Sequence, residues 1–133
     1  MKILLVEPDQ KLAQTYTEYL VARGHAVVGR MGAQSGILAA DCQAPDVVIL
    51  ELQLAAHSGA EFLHEFRSYG DWQHIPVIIL SNVAPQEFRA SEKLLRKLGV
   101  KVYLYKPTTS LAGLLSAVEE YSPASLVTAG QLV

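Results

Sequence analysis

The stretch VVILEL, residues 47–52, decides how this chain reads. Four apolar residues run without a break into a carboxylate, Glu51, and the apolar pattern then resumes. A half-buried strand would alternate. An unbroken short run reads instead as a strand buried on both faces, the habit of parallel sheets. Four more runs share this character, at residues 3–6, 26–28, 77–80 and 102–105.

Helical spacing fills the intervals between them. Leu12, Tyr16 and Leu20 recur every four residues, with Gly24 placed to end that helix. Ile37 and Leu38 mark a weaker second helix. Phe62, Leu63 and Phe66 mark a third, entered at Ser58 with Glu61 three residues on, the capping-box spacing. Phe88, Leu95 and Leu98 mark a fourth, with Pro85 near its start and Gly99 after it. Leu111, Leu114, Leu115 and Val118 mark a fifth. Strict β-α alternation five times over predicts an α/β fold, a doubly wound five-stranded parallel sheet with right-handed crossovers. Residues 1–121 make one domain on this reading. Residues 122–133, SPASLVTAGQLV, carry no charge and read as a tail or the start of a linker.

The totals narrow the function. The chain has 133 residues, half of them hydrophobic, and a formal net charge of −2. That size suits one core. That charge argues against binding nucleic acid or an anionic membrane through bulk electrostatics. Cys42 is the single cysteine, so no internal disulfide can form. It reads as a semi-buried residue and not as a nucleophile. His25, His57, His64 and His74 share no ligand spacing and read as surface residues. The apolar run at the N-terminus is too short for a signal peptide or a membrane span, so a cytoplasmic protein is the default expectation.

The strand ends carry the chemistry. The first strand ends in Glu7, the third in Glu51, the fourth in Ser81 and the fifth in Lys106, with Asp9 close by in the first loop. Ligands of open parallel sheets bind beyond the carboxyl ends of the strands. Two acids, a hydroxyl and an ammonium are therefore expected on one rim.

The stretches ILLVEPD, DVVILELQL…SGAEFL, IPVIILS and YLYKP, in this order and spacing, resemble the receiver domain of bacterial response regulators over roughly residues 1–121. The resemblance implies a CheY-like, flavodoxin-like fold and a signalling module, not an enzyme. It implies that Glu51 stands at the phosphoacceptor position, where the family has aspartate. Glu7 matches the first of two metal-holding acids, and Pro8 replaces the second. Gln53 stands where a backbone carbonyl completes the metal shell. Ser81 matches the hydroxyl that bonds the phosphoryl group, and Tyr103 the aromatic that turns inward on activation. Lys106 matches the bridging lysine, and Lys106–Pro107 a peptide bond usually cis in the family.

The departures at Pro8 and Glu51 point one way. Mg²⁺ wants octahedral oxygen ligands, and proline offers no side-chain oxygen. Glutamate projects its carboxylate about 1.5 Å further than aspartate, one C–C bond length. Glu51 thus reads as a permanent substitute for the phosphorylated state opposite Lys106, in an atypical pseudo-receiver that binds Mg²⁺ weakly or not at all. The plainer reading makes Glu51 a structural acid paired with Lys106 and Pro8 the turn residue before an Asp9 N-cap. A receiver still phosphorylated by a histidine kinase is the main alternative. A flavin or nucleotide binder ranks low, because no strand-to-helix loop forms a phosphate cradle. Expected partners are signalling proteins, among them a histidine kinase or an effector domain. A homodimer is expected through the face of helix four, strand five and helix five. Arg89, Lys93, Arg96 and Lys97 lie on one face of helix four and read as solvated, or as a docking face for an acidic partner.

Overall fold

The computed structural model describes residues 1–54, 58–87 and 92–121. His57, Phe88, Arg89 and the tail 122–133 lie outside the described residues. Five strands, β1 (Lys2–Val6), β2 (Ala26–Arg30), β3 (Val47–Leu50), β4 (Val77–Ser81) and β5 (Val100–Tyr105), alternate with five helices. The helices are α1 (Gln10–Val21), α2 (Ala33–Cys42), α3 (Gly59–Ser68), α4 (Glu92–Lys97 as described) and α5 (Leu111–Glu120). All strand pairings are parallel, in the order β2-β1-β3-β4-β5. This is the flavodoxin-like order, and it reverses direction between β1 and β3.

The unbroken apolar runs have the burial expected of central parallel strands. Every residue of β3 and β4 is buried, and so is β1 after Lys2. Alternate residues feed two cores. Leu4, Val6, Val48, Leu50, Val77 and Ile79 face α2 and α3, where Phe62, Leu63 and Phe66 pack. Ile3, Leu5, Val47, Ile49, Ile78 and Leu80 face Tyr16 and Leu20 of α1 and Leu114 and Val118 of α5. β2 lies at the sheet edge and is mostly exposed.

Local signals set the helix ends. Asp9 accepts hydrogen bonds from the backbone N–H groups of Lys11 and Leu12 and so caps α1. Ser58 accepts from Glu61 N–H at the start of α3. Gly99, two residues past the end of α4, takes φ +74°, a left-handed conformation that glycine adopts without a Cβ clash.

Several expectations need correction. Cys42 is exposed, because it sits on the last turn of α2. His25 is half-buried: its Nδ1 meets the N-terminal ammonium at 3.2 Å and its Nε2 lies 3.5 Å from Glu119. Leu38, taken as a core mark, is exposed, and Ile37 alone of that pair is buried. The Lys106–Pro107 peptide bond is trans, and Lys106–Thr108 forms a single 3-10 turn. Among the described residues, no helix is long and apolar enough to cross a membrane.

Candidate functional site at the carboxyl ends of the strands

The sheet register builds the site. Val6 pairs with Leu50, so the next residues, Glu7 and Glu51, leave the sheet side by side at its switch point. Ser81 pairs with Tyr105, which brings Lys106 to the same rim one residue later. The structure brings Glu7, Glu51 and Lys106 into direct contact. Lys106 Nζ lies 2.6 Å from Glu7 Oε1 and 3.0 Å from Glu51 Oε1. The three side chains are 2%, 3% and 7% exposed for Glu7, Glu51 and Lys106, so all three charges are withdrawn from water.

Buried charges need partners on every side, and backbone N–H groups supply them. Asp9 N–H donates to Glu7 Oε2 at 3.1 Å. Leu52 N–H donates to Glu51 Oε2 at 2.6 Å, and Asn82 N–H to Glu51 Oε1 at 3.3 Å. Burial by itself would lower the pKa of Lys106. Its hydrogen bonds to Glu7 and Glu51, and their charges, outweigh burial and raise it above the ordinary lysine value. The ammonium is therefore fixed as a cation. Tyr16, read from sequence only as a core residue, stands within electrostatic range of the cluster, and its phenol pKa is raised, first by burial.

The remaining candidates are placed differently. Asp9 sits on the rim, but its carboxylate is spent on capping α1 and its side chain is exposed. Gln53 is exposed in the loop after β3. Ser81 is fully buried, yet its hydroxyl accepts from Val83 N–H at 3.0 Å. The hydrogen bond from this loop to Glu51 comes from Asn82 N–H, not from Ser81. Tyr103 is half-buried, packs against the α2–α3 core, and donates its phenol to Val83 O at 2.6 Å. Burial raises its pKa, while a hydrogen bond with Ser81 works against the rise. Ser81, Val83 and Tyr103 thus form one linked unit beside the cluster. Sequence reading missed Asn82, since backbone amides carry no residue signature.

A metal ion would find two carboxylates here, and both already hold Lys106. Pro8 adds no side-chain oxygen. Among the described residues, no group of three or more His, Cys, Asp or Glu is placed to hold a metal.

The sequence model of the response regulator receiver domain matches residues 3–119. The KDP operon transcriptional regulatory protein KdpE of Escherichia coli is 34% identical over 79 residues, which cover 59% of this chain and 34% of KdpE. The polar-differentiation response regulator DivK of Brucella anthropi is 22% identical over 119 residues, covering 90% of this chain and 94% of DivK. The solved structure of the Vibrio cholerae chemotaxis protein CheY4 superposes with a TM-score of 0.79 at 20% identity, covering 90% of this chain and 97% of that one. The match therefore spans about a third of KdpE but nearly the whole of DivK.

Proposed function

The chain belongs to the response regulator receiver domain family, and on that premise we propose that it signals without being phosphorylated. Receiver domains act in two-component signalling, where they interact with histidine kinases and effectors. In this chain Glu51 takes the phosphoacceptor position as a built-in anion, and its carboxylate holds Lys106 permanently.

The observation that carries this reading is the pair of contacts from Lys106 Nζ to Glu7 and Glu51. Phosphoryl transfer to a receiver depends on positioning and on neutralising charge with a metal ion. Here an ammonium neutralises the two acids, one acid position is proline, and the carboxylate is displaced by a methylene. This donor set does not fit Mg²⁺, which needs a near-octahedral shell of oxygens. The half-buried Tyr103, hydrogen-bonded to Val83 O, supports a conformation like the activated one. The Ser81 hydroxyl is engaged by Val83 N–H rather than hydrogen-bonded to Glu51, so the likeness to a phosphorylated site rests on Lys106 and Tyr103. On this reading the domain is a non-enzymatic interaction module of the cytoplasm. It presents the face of α4, β5 and α5 to a signalling partner or to a second copy.

Glu51→Gln tests the claim, because it keeps the side chain's shape and removes its charge. If the carboxylate holds the switch, the amide resonances of Asn82 and Val83 and the ring resonances of Tyr103 shift together. Shifts confined to Leu52 and Lys106 would reduce Glu51 to a structural acid.

A further inference from the structure

Among the described residues, no strand pairs with the outer edge of β2. The bonds from Ala26 N–H to Met1 O and from Glu7 N–H to Arg30 O turn the backbone of Ala26 and Arg30 toward β1. Backbone groups alternate sides along a strand, so those of Val27 and Gly29 point outward. An open row of such groups is a template for a further strand. Arg30 Nη1 donates to Gly29 O at 2.7 Å, and this side chain is exposed and able to swing aside.

The flank of this edge is apolar. A groove of about 290 Å³ runs between β2 and α2, with Val28, Leu38, Ala39 and Cys42 in its lining. Val28 is 40% exposed and Leu38 60%, so two large apolar side chains stand in water beside the open edge. Outward backbone groups next to an apolar groove are what strand addition uses: the main chain gives affinity and the groove takes side chains.

We propose that the occupant is this chain's own residues 122–133, docked as a sixth strand parallel to β2. The last turn of α5 lies where such a strand must begin. Glu119 Oε2 is 3.5 Å from Nε2 of His25, the residue before β2. Tyr121 and Val27 pack against the same core. The chain therefore leaves α5 beside the start of β2. Because α5 packs on the same face as α1, a crossover through α5 to this edge steps the same way as β1–α1–β2. It keeps the right-handed form that such connections take. Length and sequence suit the path. Residues 122–125, SPAS, keep Pro123 out of the strand. Extended, they reach about 13 Å, more than the strand spacing of about 4.8 Å. Residues 126–130, LVTAG, match the five residues of β2 and carry no charge, as a strand laid over Val28 and Leu38 requires. The docked tail closes the edge to pairing with other chains.

Amide hydrogen exchange of the whole chain tests this, with Val127→Pro and Thr128→Pro as variants. Proline removes a backbone donor and breaks a paired strand, and one of these two adjacent positions must turn its amide to β2. The expected result is slow exchange at Val27 and Gly29 in the parent. In at least one variant both should exchange about tenfold faster or more, as when a local element opens. Val48 and Ile78 of the central strands should stay protected in every variant, since the tail lies outside the core. Fast exchange at Val27 and Gly29 in the parent, or equal rates in the parent and both variants, would overturn the assignment. So would protection that grows with protein concentration, the result expected if a second copy supplied the strand.

Discussion

Lys106 closes on Glu51 across the full width of β4, at 3.0 Å, joining the ends of two strands that are not neighbours in the sheet. The same ammonium holds Glu7 at 2.6 Å, so one cation ties β1, β3 and β5 together.

Removing that cation leaves two buried carboxylates facing each other. Breaking a buried ion pair from one side typically costs about 3–5 kcal/mol. Lys106→Met should therefore lower unfolding stability by about that amount, measured by urea denaturation. Adding Glu7→Gln and Glu51→Gln to Lys106→Met should restore much of the loss, because no uncompensated charge then remains buried. A triple variant as unstable as the single one would show that packing of the lysine stem, not charge, is what matters.

The pH dependence has a definite sign. The pKa of Lys106 is raised in the folded protein above the ordinary lysine value of 10.5. A raised lysine contributes stability that is fully present below its unfolded pKa and is lost as pH rises through the folded one. Wild type should thus keep its advantage over Lys106→Met throughout the neutral range. It should lose that advantage only above pH 10.5. Chemical denaturation at a series of alkaline pH values checks this, and an advantage that fades between pH 7 and 9 would contradict it.

Gly59 is a packing constraint next to the site. A Cβ there would sit 2.7 Å from Leu52 Cα and 2.8 Å from Glu51 O, both backbone atoms that cannot swing aside. Gly59→Ala should push α3 off the end of β3 and cost about 1–3 kcal/mol, the usual range for overpacking. It should also perturb the amides of Glu51 and Leu52. A variant as stable as the parent would mean that α3 can shift freely.

Much of this architecture was legible in the sequence because apolar runs and helical periodicity report burial directly. β3 and its acid were readable to the residue. β2 and β5 were read two residues short, since Gly29 and Arg30 of an exposed edge strand break the apolar pattern and Lys101 separates Val100 from the rest of β5. Leu38 and Cys42 misled because apolar type was taken for burial on a helix whose outer face is open. The three charged residues of the site were readable as strand ends. Their pairing was not fully readable: Glu7 lies closer to Lys106 than Glu51 does, and the backbone donors Asn82 and Leu52 have no signature. The trans bond at Pro107 departs from what the resemblance implied, and residue identity alone does not set it.

On the proposed reading, Pro8 and Glu51 are two separable departures from the family pattern. Glu51→Asp restores the length of the nucleophile and Pro8→Asp restores an acid, but groups that act as a unit fail singly. Only the double variant should accept phosphate efficiently. It should also melt lower than the parent without Mg²⁺, because three close carboxylates repel, and recover with Mg²⁺, since a ligand that binds the folded state stabilises it. Melting curves with and without Mg²⁺ read both effects. If Glu51→Asp alone takes phosphate as readily as the double variant, the role assigned to Pro8 is wrong.

The most direct test of phosphorylation-independent signalling is the intact mass of the unmodified chain after incubation with acetyl phosphate and Mg²⁺. The Glu51–Lys106–Glu7 arrangement predicts no change in mass. A stoichiometric gain of about 80 Da, one phosphoryl group added to a side chain, would contradict it and return the chain to the phosphorylated receivers.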